Sequence, residues 1–416
     1  MERIEELRKK YEEFKARNLK LDMSRGKPSR EQLNISMALM DVLNSSTDLK
    51  DEDGIDCRNY GVLDGIPECK RLMSEMMEIP PENLIIYGNS SLNIMYDVIS
   101  HAYTHGVMGN TPWCKLDKQV KFICVVPGYD RHFGITEHFG FENICVPMLD
   151  DGPDMDMVEK LVSEDEMVKG IWCVPKYSNP TGNSYSDEVV RRFANLKPAA
   201  KDFRIFWDNA YCIHHLYDDE QDIILELVTE CAKAGNPDMV YKFASTSKVT
   251  FPGSGIAVLG SSKANLDDIK ASLKYQTIGH DKVNQLRHVR YYKDAAGYRE
   301  YMKKHAAIIA PRFSIVTGTL EHELGGEGVA RWTTPNGGYF VSLYVMKNCA
   351  KRVVKLLADI GVKVTSAGAT YPYGIDPDDS NIRIAPTYPP EDELRQAMSV
   401  LCLCVKIAVC EKILAE

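Results

Sequence analysis

The sequence predicts an α/β fold: a mostly parallel sheet sandwiched by helices, with a smaller α+β domain attached. Three observations predict it. Short apolar strings, rich in β-branched and aromatic residues, recur through the first two-thirds of the chain. The stretches between several of them are long enough for a crossover helix. Past about residue 300 the pattern changes to long helical segments with a few short strands.

The elements follow in order. Residues 1 to about 18 read as an amphipathic helix, because Ile4, Leu7, Tyr11 and Phe14 recur at three and four residues. The stretch Ser24-Arg25-Gly26-Lys27-Pro28-Ser29 cannot continue it. The strings Leu84 to Tyr87, Phe122 to Val126, Ile171 to Val174, Phe203 to Trp207, Met239 to Phe243 and Gly255 to Leu259 read as sheet strands. They point to a sheet covered by helices on both faces. Later strand signals are Gly337 to Leu343, Val362 to Thr365 and Ile382 to Ala385. A last helix starts at about Glu391, behind Pro389 and Pro390, with Leu394, Met398, Leu401 and Val405 among its apolar positions. The expected units are an N-terminal segment (1–50) that joins the small domain, a large domain (51–300), and a small C-terminal α+β domain (301–416).

A chain of 416 residues has room for two such units. Fifty basic against fifty-nine acidic side chains give a net charge of -9, which excludes a dominant basic surface for nucleic acid. There is no apolar signal segment and no run of membrane-spanning length, so a cytoplasmic protein with no membrane partner is expected. The twelve cysteines are spread out, many in apolar strings, and read as buried reduced thiols. No zinc spacing, GxGxxG or GxxxxGK[ST] occurs, so no metal is expected and the dinucleotide and P-loop readings lose their support.

What remains is a set of polar residues just after apolar strings, where open α/β sheets bind ligands. Lys248 lies in Ser245-Thr246-Ser247-Lys248, and Asp208 closes the Phe203 to Trp207 string with Tyr211 three residues on. Ser178-Asn179-Pro180-Thr181-Gly182 follows the Ile171 string. Gly88-Asn89-Ser90-Ser91 precedes an apolar helix and offers donors to a phosphate. Arg383 stands alone in an uncharged string. Each has a plainer reading by itself: a solvated loop lysine, a helix cap, a turn.

Together, the ordered N-P-T-G, D-x-x-Y, S-x-S-K and late I-R resemble the pyridoxal-phosphate aminotransferases of fold type I. The wording around SRGKPS, YGVLDG and SKVTFPGSG resembles their divergent aspartate aminotransferase branch, similar to the aminotransferase domain of MocR-like proteins. The resemblance covers about residues 20 to 410. With no residues ahead of the first helix to supply a winged helix-turn-helix, a regulator is not expected.

The resemblance implies pyridoxal 5'-phosphate as cofactor. Lys248 then carries it as an imine and moves protons, Asp208 keeps its ring nitrogen protonated, and Asn179 and Tyr211 bond its phenolic oxygen. Tyr129 stacks on the ring. Asn89, Ser90, Ser91, Ser245 and Ser247 hold the phosphate, with Tyr60 reaching in from a neighbouring subunit, which makes a homodimer with shared active sites. Arg383 grips the substrate α-carboxylate, with Asn179 beside it, and Gly26 belongs to a segment that closes over the substrate. Relatives carry a phosphate-binding arginine a few residues after the lysine. Here Pro252-Gly253-Ser254-Gly255 stands there, leaving Ser254 as an uncharged donor and Lys242 as a possible substitute cation.

The leading expectation is ping-pong transamination between an amino acid and a 2-oxo acid, L-aspartate with 2-oxoglutarate. A second carboxylate needs a second cation, from among Arg25, Lys27, Arg287 and Arg290. The rivals are an aminotransferase for alanine, aromatic or other amino acids, a carbon–sulfur lyase or decarboxylase on the same scaffold, and a non-catalytic ligand-sensing module.

Overall fold

The computed structural model describes residues 2–415, so Met1 and Glu416, the outer ends of the expected units, lie outside it. Its strands are β1 (Leu21–Asp22), β2 (Leu84–Ile86), β3 (Lys121–Val126), β4 (Glu142–Leu149), β5 (Gly152–Pro153), β6 (Val168–Cys173), β7 (Arg204–Asp208), β8 (Val240–Ser245), β9 (Ala257–Gly260), β10 (Ala330–Trp332), β11 (Val341–Val345), β12 (Val362–Lys363) and β13 (Asn381–Ile384). Eight of them form one sheet in the order β2-β9-β8-β7-β6-β3-β4-β5. Strands β3, β4, β6, β7 and β8 run parallel, while β9 and β5 pair antiparallel with their neighbours. The expected α/β class, a mostly parallel sheet between helices, is the one observed.

The apolar strings are explained by burial on both sides. Along β3, Phe122 and Cys124 enter one apolar layer with Trp172, Phe206 and Tyr241. Ile123 and Val125 enter the opposite layer with Ile171, Ile205 and Trp207. Neither face needs a polar residue, so the sequence does not alternate. Strand β4 went unread because it does alternate, and because Glu142 and Pro147 interrupt it. It lies near the sheet edge, where only Met148 and Leu149 meet β5 on the outer side. An edge tolerates a proline and exposed polar side chains.

Two further sheets are smaller. Strands β10, β11 and β13 form an antiparallel sheet, and β1 pairs parallel with β12 through Leu21–Val362 and Asp22–Lys363. The N-terminal segment is thus sewn into the C-terminal part. The first helix, Glu2–Lys15, is a little shorter than expected. Its Leu7 and Tyr11 share a core with Leu401 and Val405 of the last helix, Glu391–Ala415, and the Tyr11 hydroxyl donates to the Leu356 carbonyl at 3.0 Å. The strand expected at Gly337 starts only at Val341, because Gly338 turns the chain at φ +80°. The expected Val362–Thr365 strand ends at Lys363. One helix, Ala295–Leu324, serves both cores: Tyr298, Tyr301 and Met302 pack in the large one, and Ile309, Phe313 and Leu320 in the small one. Among the described residues no helix is long and apolar enough to cross a membrane, and no disulfide links the cysteines.

Burial of neutral histidines makes the fold acid-sensitive. His288 and His305 are almost fully buried, and burial lowers both from 6.5 to about 4. His288 Nδ1 lies 2.8 Å from the Asn284 carbonyl, to which only an N–H can bond, so its Nε2, 3.1 Å from Thr250 Oγ1, serves as the acceptor. Between pH 6.5 and 4 the unfolded chain binds protons that the folded chain refuses, so stability falls as pH falls through that window. Each histidine contributes on the order of 2–3 kcal/mol to the loss. The thermal midpoint is expected to drop steadily from pH 7 to 4.5, and less steeply in His288→Gln. A flat profile down to pH 5 contradicts this.

Candidate active site

Strands β2, β3, β6, β7 and β8 all end at one edge of the large sheet. The loops leaving these ends, with the N-terminal stretch and the small sheet, enclose a cavity of about 760 Å³. That edge is where an open α/β sheet exposes backbone groups and helix starts to a ligand. The cavity is lined by Gly26, Asn89, Ser90, Ser91, Tyr129, Asn179, Asp208, Tyr211, Ser245, Ser247, Lys248 and Arg383. Residues nominated from stretches over 350 positions apart are brought together.

Asp208 closes β7 and is only 3% exposed. Its Oδ2 lies 3.0 Å from His132 Nε2, while its Oδ1 has no partner. His132 is itself buried and stacks on Trp172, centroids 4.6 Å apart and planes 12° from parallel. It was not singled out in the sequence. Its signal was slight: a histidine three residues after Tyr129, one turn into the helix Asp130–His138. Its importance depends on meeting Asp208, which no local pattern reveals. Tyr129 lies edge-on to the His132 ring at 4.9 Å, and burial raises its hydroxyl to about 12.

Lys248 follows β8, with its Nζ 4.9 Å from the centre of the Tyr211 ring. Burial lowers the lysine pKa, and the charge of Asp208 partly opposes this by raising it. Tyr211 is held well above the usual range, mainly by burial. Behind them the Tyr339 hydroxyl donates to the Lys248 carbonyl at 3.1 Å, and Gln32 Nε2 donates to Tyr339 at 2.9 Å. Gln32 is also the N3 residue of a capping box begun by Ser29. The lysine's main chain is therefore tied to the N-terminal segment.

Arg383, on β13, reaches from the small sheet to the large domain. Its Nη1 donates to Asn179 Oδ1 at 3.1 Å and lies 3.4 Å from Asp130 Oδ1. Its Nε and Nη2 donate to Thr365 Oγ1 at 3.3 and 3.2 Å, and its guanidinium sits 4.8 Å over the Phe340 ring. Thr365 in turn donates to the Ser24 carbonyl at 2.6 Å. Gly26 is required here, since a Cβ at that position would run into the Phe340 ring. Asp130, Thr365 and Phe340 were not read from the sequence as site residues.

Asn89, Ser245 and Ser247 form one cluster beside the start of the helix Ser91–His105. Ser245 Oγ donates to Ser247 Oγ at 3.0 Å, Ser247 Oγ to the Asn89 carbonyl at 3.0 Å, and Asn89 Nδ2 to the Pro252 carbonyl at 2.9 Å.

Five nominated residues fall elsewhere. Lys242 does not face this cluster: its Nζ donates to the Met77 carbonyl and pairs with Glu226 at 3.0 Å. It is three residues before Ser245 on one strand, and side chains alternate, so the two point to opposite faces. Lys242 is corrected as a phosphate cation on that ground. Ser254 lies outside the cavity lining and accepts from Arg287 Nη2 at 2.6 Å. Arg287 and Arg290 also lie outside the lining, with Arg290 bonded to the Lys50 carbonyl at 3.4 Å. Tyr60 is 80% exposed and does not reach the cleft of its own chain. Arg25 and Lys27 do line the cavity, although Lys27 Nζ is 3.7 Å from the centre of the Tyr388 ring. The structure adds Arg131 and Lys363 to these cations.

A family model described as aspartate amino-transferase matches residues 2–416. The chain belongs to this family. An aspartate aminotransferase of Corynebacterium glutamicum is 46% identical over 98% of this chain and 94% of its own length. A solved aspartate transaminase from the same species superposes with a TM-score of 0.95 at 46% identity, covering 99% of this chain and 97% of that one. More distant in sequence, an α-aminoadipate aminotransferase of Thermus thermophilus shares the fold at TM-score 0.75 and 18% identity, over 94% and 93% of the two chains. That structure is complexed with N-(5'-phosphopyridoxyl)-L-leucine. The chain is an aminotransferase of fold type I, as the sequence motifs implied.

The cavity suits the cofactor of this family. A buried carboxylate oxygen with no partner is costly unless something protonated meets it, and Asp208 Oδ1 is such an atom. A buried amine lies near it at Lys248, and a cluster of hydroxyls stands at a helix start.

Proposed function

We propose that this protein is a pyridoxal-phosphate enzyme transferring the amino group of L-aspartate to 2-oxoglutarate. The observation that carries the choice of substrate is charge. The basic residues lining the cavity, Arg25, Lys27, Arg131, Lys248, Lys363 and Arg383, outnumber the acidic ones, Asp130 and Asp208. A substrate with two carboxylates suits such a cavity, and a monocarboxylic one leaves cations without counter-charge. The relative from Corynebacterium glutamicum, an aspartate aminotransferase, supports the same reading.

Pyridoxal phosphate, when bound, supplies an electron-poor pyridinium ring that accepts the electrons of a breaking bond at the substrate Cα. The residues divide the remaining work. Asp208 holds a proton at a ring nitrogen with its free Oδ1, while His132 fixes its other oxygen. Lys248 attaches the cofactor and, as a buried amine easily kept neutral, takes the proton from Cα and returns it. Asn179 and Tyr211 bond the phenolic oxygen, and Tyr129 covers the ring. Asn89, Ser90, Ser91, Ser245 and Ser247 hold the phosphate. Arg383 presents a two-pronged donor to the α-carboxylate. Asn179 already bonds Arg383, so carboxylate and cofactor are positioned by one side chain. Gly26 lets the N-terminal stretch lie directly on Phe340.

The assembly read here is a homodimer with shared sites, in which the exposed Tyr60 completes the neighbouring cleft. Its loop is held by Lys282, whose Nζ donates to the Asn59 and Gly61 carbonyls at 2.6 and 2.9 Å. Twelve cysteines without a disulfide suit the reducing cytoplasm.

A panel of amino donors with 2-oxoglutarate as acceptor tests the substrate. Aspartate is expected to exceed alanine and phenylalanine in kcat/KM by at least about a hundredfold, the scale of a recognised or missing charged group. Equal values for alanine defeat the reading. Release of ammonia and pyruvate, measured in parallel, would reveal a lyase instead.

A further inference from the structure

We propose that Arg287 supplies the positive charge for the cofactor's phosphate, acting at the cleft through the turn Pro252–Ser254. The inference rests on the reading of the site as a pyridoxal-phosphate site.

The donors gathered for the phosphate are all uncharged: Asn89, Ser90, Ser91, Ser245 and Ser247. A phosphate monoester carries about 1.5 to 2 negative charges at neutral pH, and a helix start offers only about half a positive charge. The cluster therefore lacks a cation. Contacts lead from it to one. Asn89 bonds the Pro252 carbonyl, Pro252 begins the turn that ends at Ser254, and Arg287 Nη2 donates to Ser254 Oγ at 2.6 Å and to its carbonyl at 3.3 Å.

Arg287 is in turn short of an anion. Among the described residues it forms no ion pair. Nη2 also donates to Asn284 Oδ1, at 2.5 Å, so all its oxygen acceptors are neutral. Its Nε is buried with no acceptor. Asp281 acts on Arg287 only at a distance, without an ion pair. A partly buried guanidinium balanced so weakly is unfavourable, and phosphate charge on the cleft side of the Pro252–Ser254 turn relieves it. Lys242 is taken up by Glu226, and Lys282 by the carbonyls of the Tyr60 loop. From the sequence, the stretch Pro252-Gly253-Ser254-Gly255 stands where relatives carry an arginine, with Ser254 its side-chain donor. Arg287 brings a guanidinium to that serine from 33 residues further along the chain.

The test compares two aldehydes on the apoenzyme, pyridoxal phosphate and pyridoxal, which lacks only the phosphate. Binding is followed by absorbance. In Arg287→Met the dissociation constant for pyridoxal phosphate is expected to rise ten- to a hundredfold, with that for pyridoxal unchanged. Arg287→Lys should recover most of the loss, and it serves as the test if the methionine variant does not fold. Equal weakening for both aldehydes, or for neither, overturns the proposal. So does unchanged cofactor affinity with a loss of preference for aspartate over alanine, which assigns Arg287 to a substrate carboxylate. If the unmodified protein binds neither aldehyde, the reading of the site fails instead.

Discussion

Lys248→Ala is expected to lower kcat with aspartate and 2-oxoglutarate by at least about 10⁴-fold, the upper range for loss of a positioned general base. Two roles are lost together, since one amine both attaches the cofactor and moves the proton. No neighbour can take them over. The other lysines lining the cavity, Lys27 and Lys363, are exposed, and Lys27 sits on the Tyr388 ring. Burial favours the neutral amine at Lys248, and neither of these lysines is buried. Cofactor binding should survive in part, because Asp208, Asn179 and the serine cluster are untouched. The measurements are single-turnover absorbance and steady-state kcat. A variant within tenfold of the unaltered enzyme removes Lys248 from its role.

Much of this was legible in the sequence, and the reasons are specific. The six apolar strings mark strands because both sheet faces are covered, leaving no alternation to blur them. Asp208, Ser245 and Lys248 stood out because ligands bind where such strings end and because their motifs occur together in order, although each alone reads as a cap, a turn or a solvated loop residue. The same rule explains what was missed. His132 lies on a helix, and its value comes from Asp208, 76 residues away. Asp130 and Thr365 matter only because Arg383 reaches both. Lys242 misled for a reason that strand parity exposes: three positions before Ser245, it must point to the other face. Strand β4 was hidden by Pro147, which an edge tolerates and a central strand does not.

Asp208→Asn carries the second large effect. The change keeps the shape of the side chain and a group able to meet His132, but removes the charge. Turnover is expected to fall about 10²–10³-fold, the cost of deleting one preorganised electrostatic group in a dry site. A second readout separates charge from shape. The Asp208 carboxylate raises the Lys248 pKa against the lowering effect of burial. Without it the lysine should titrate at still lower pH, because a buried ammonium loses its nearest counter-charge. The pH dependence of Lys248 acylation in the apoenzyme, followed by peptide mass spectrometry, reports this directly. In Asp208→Asn the midpoint should move down. In His132→Phe it should stay near its original value, since the carboxylate remains, and turnover should fall less. If Asp208→Asn leaves both turnover and the lysine midpoint unchanged, the buried oxygen without a partner has no catalytic meaning. If turnover collapses but the midpoint stays, Asp208 acts on the cofactor alone and the two charges at the floor of the cavity are independent.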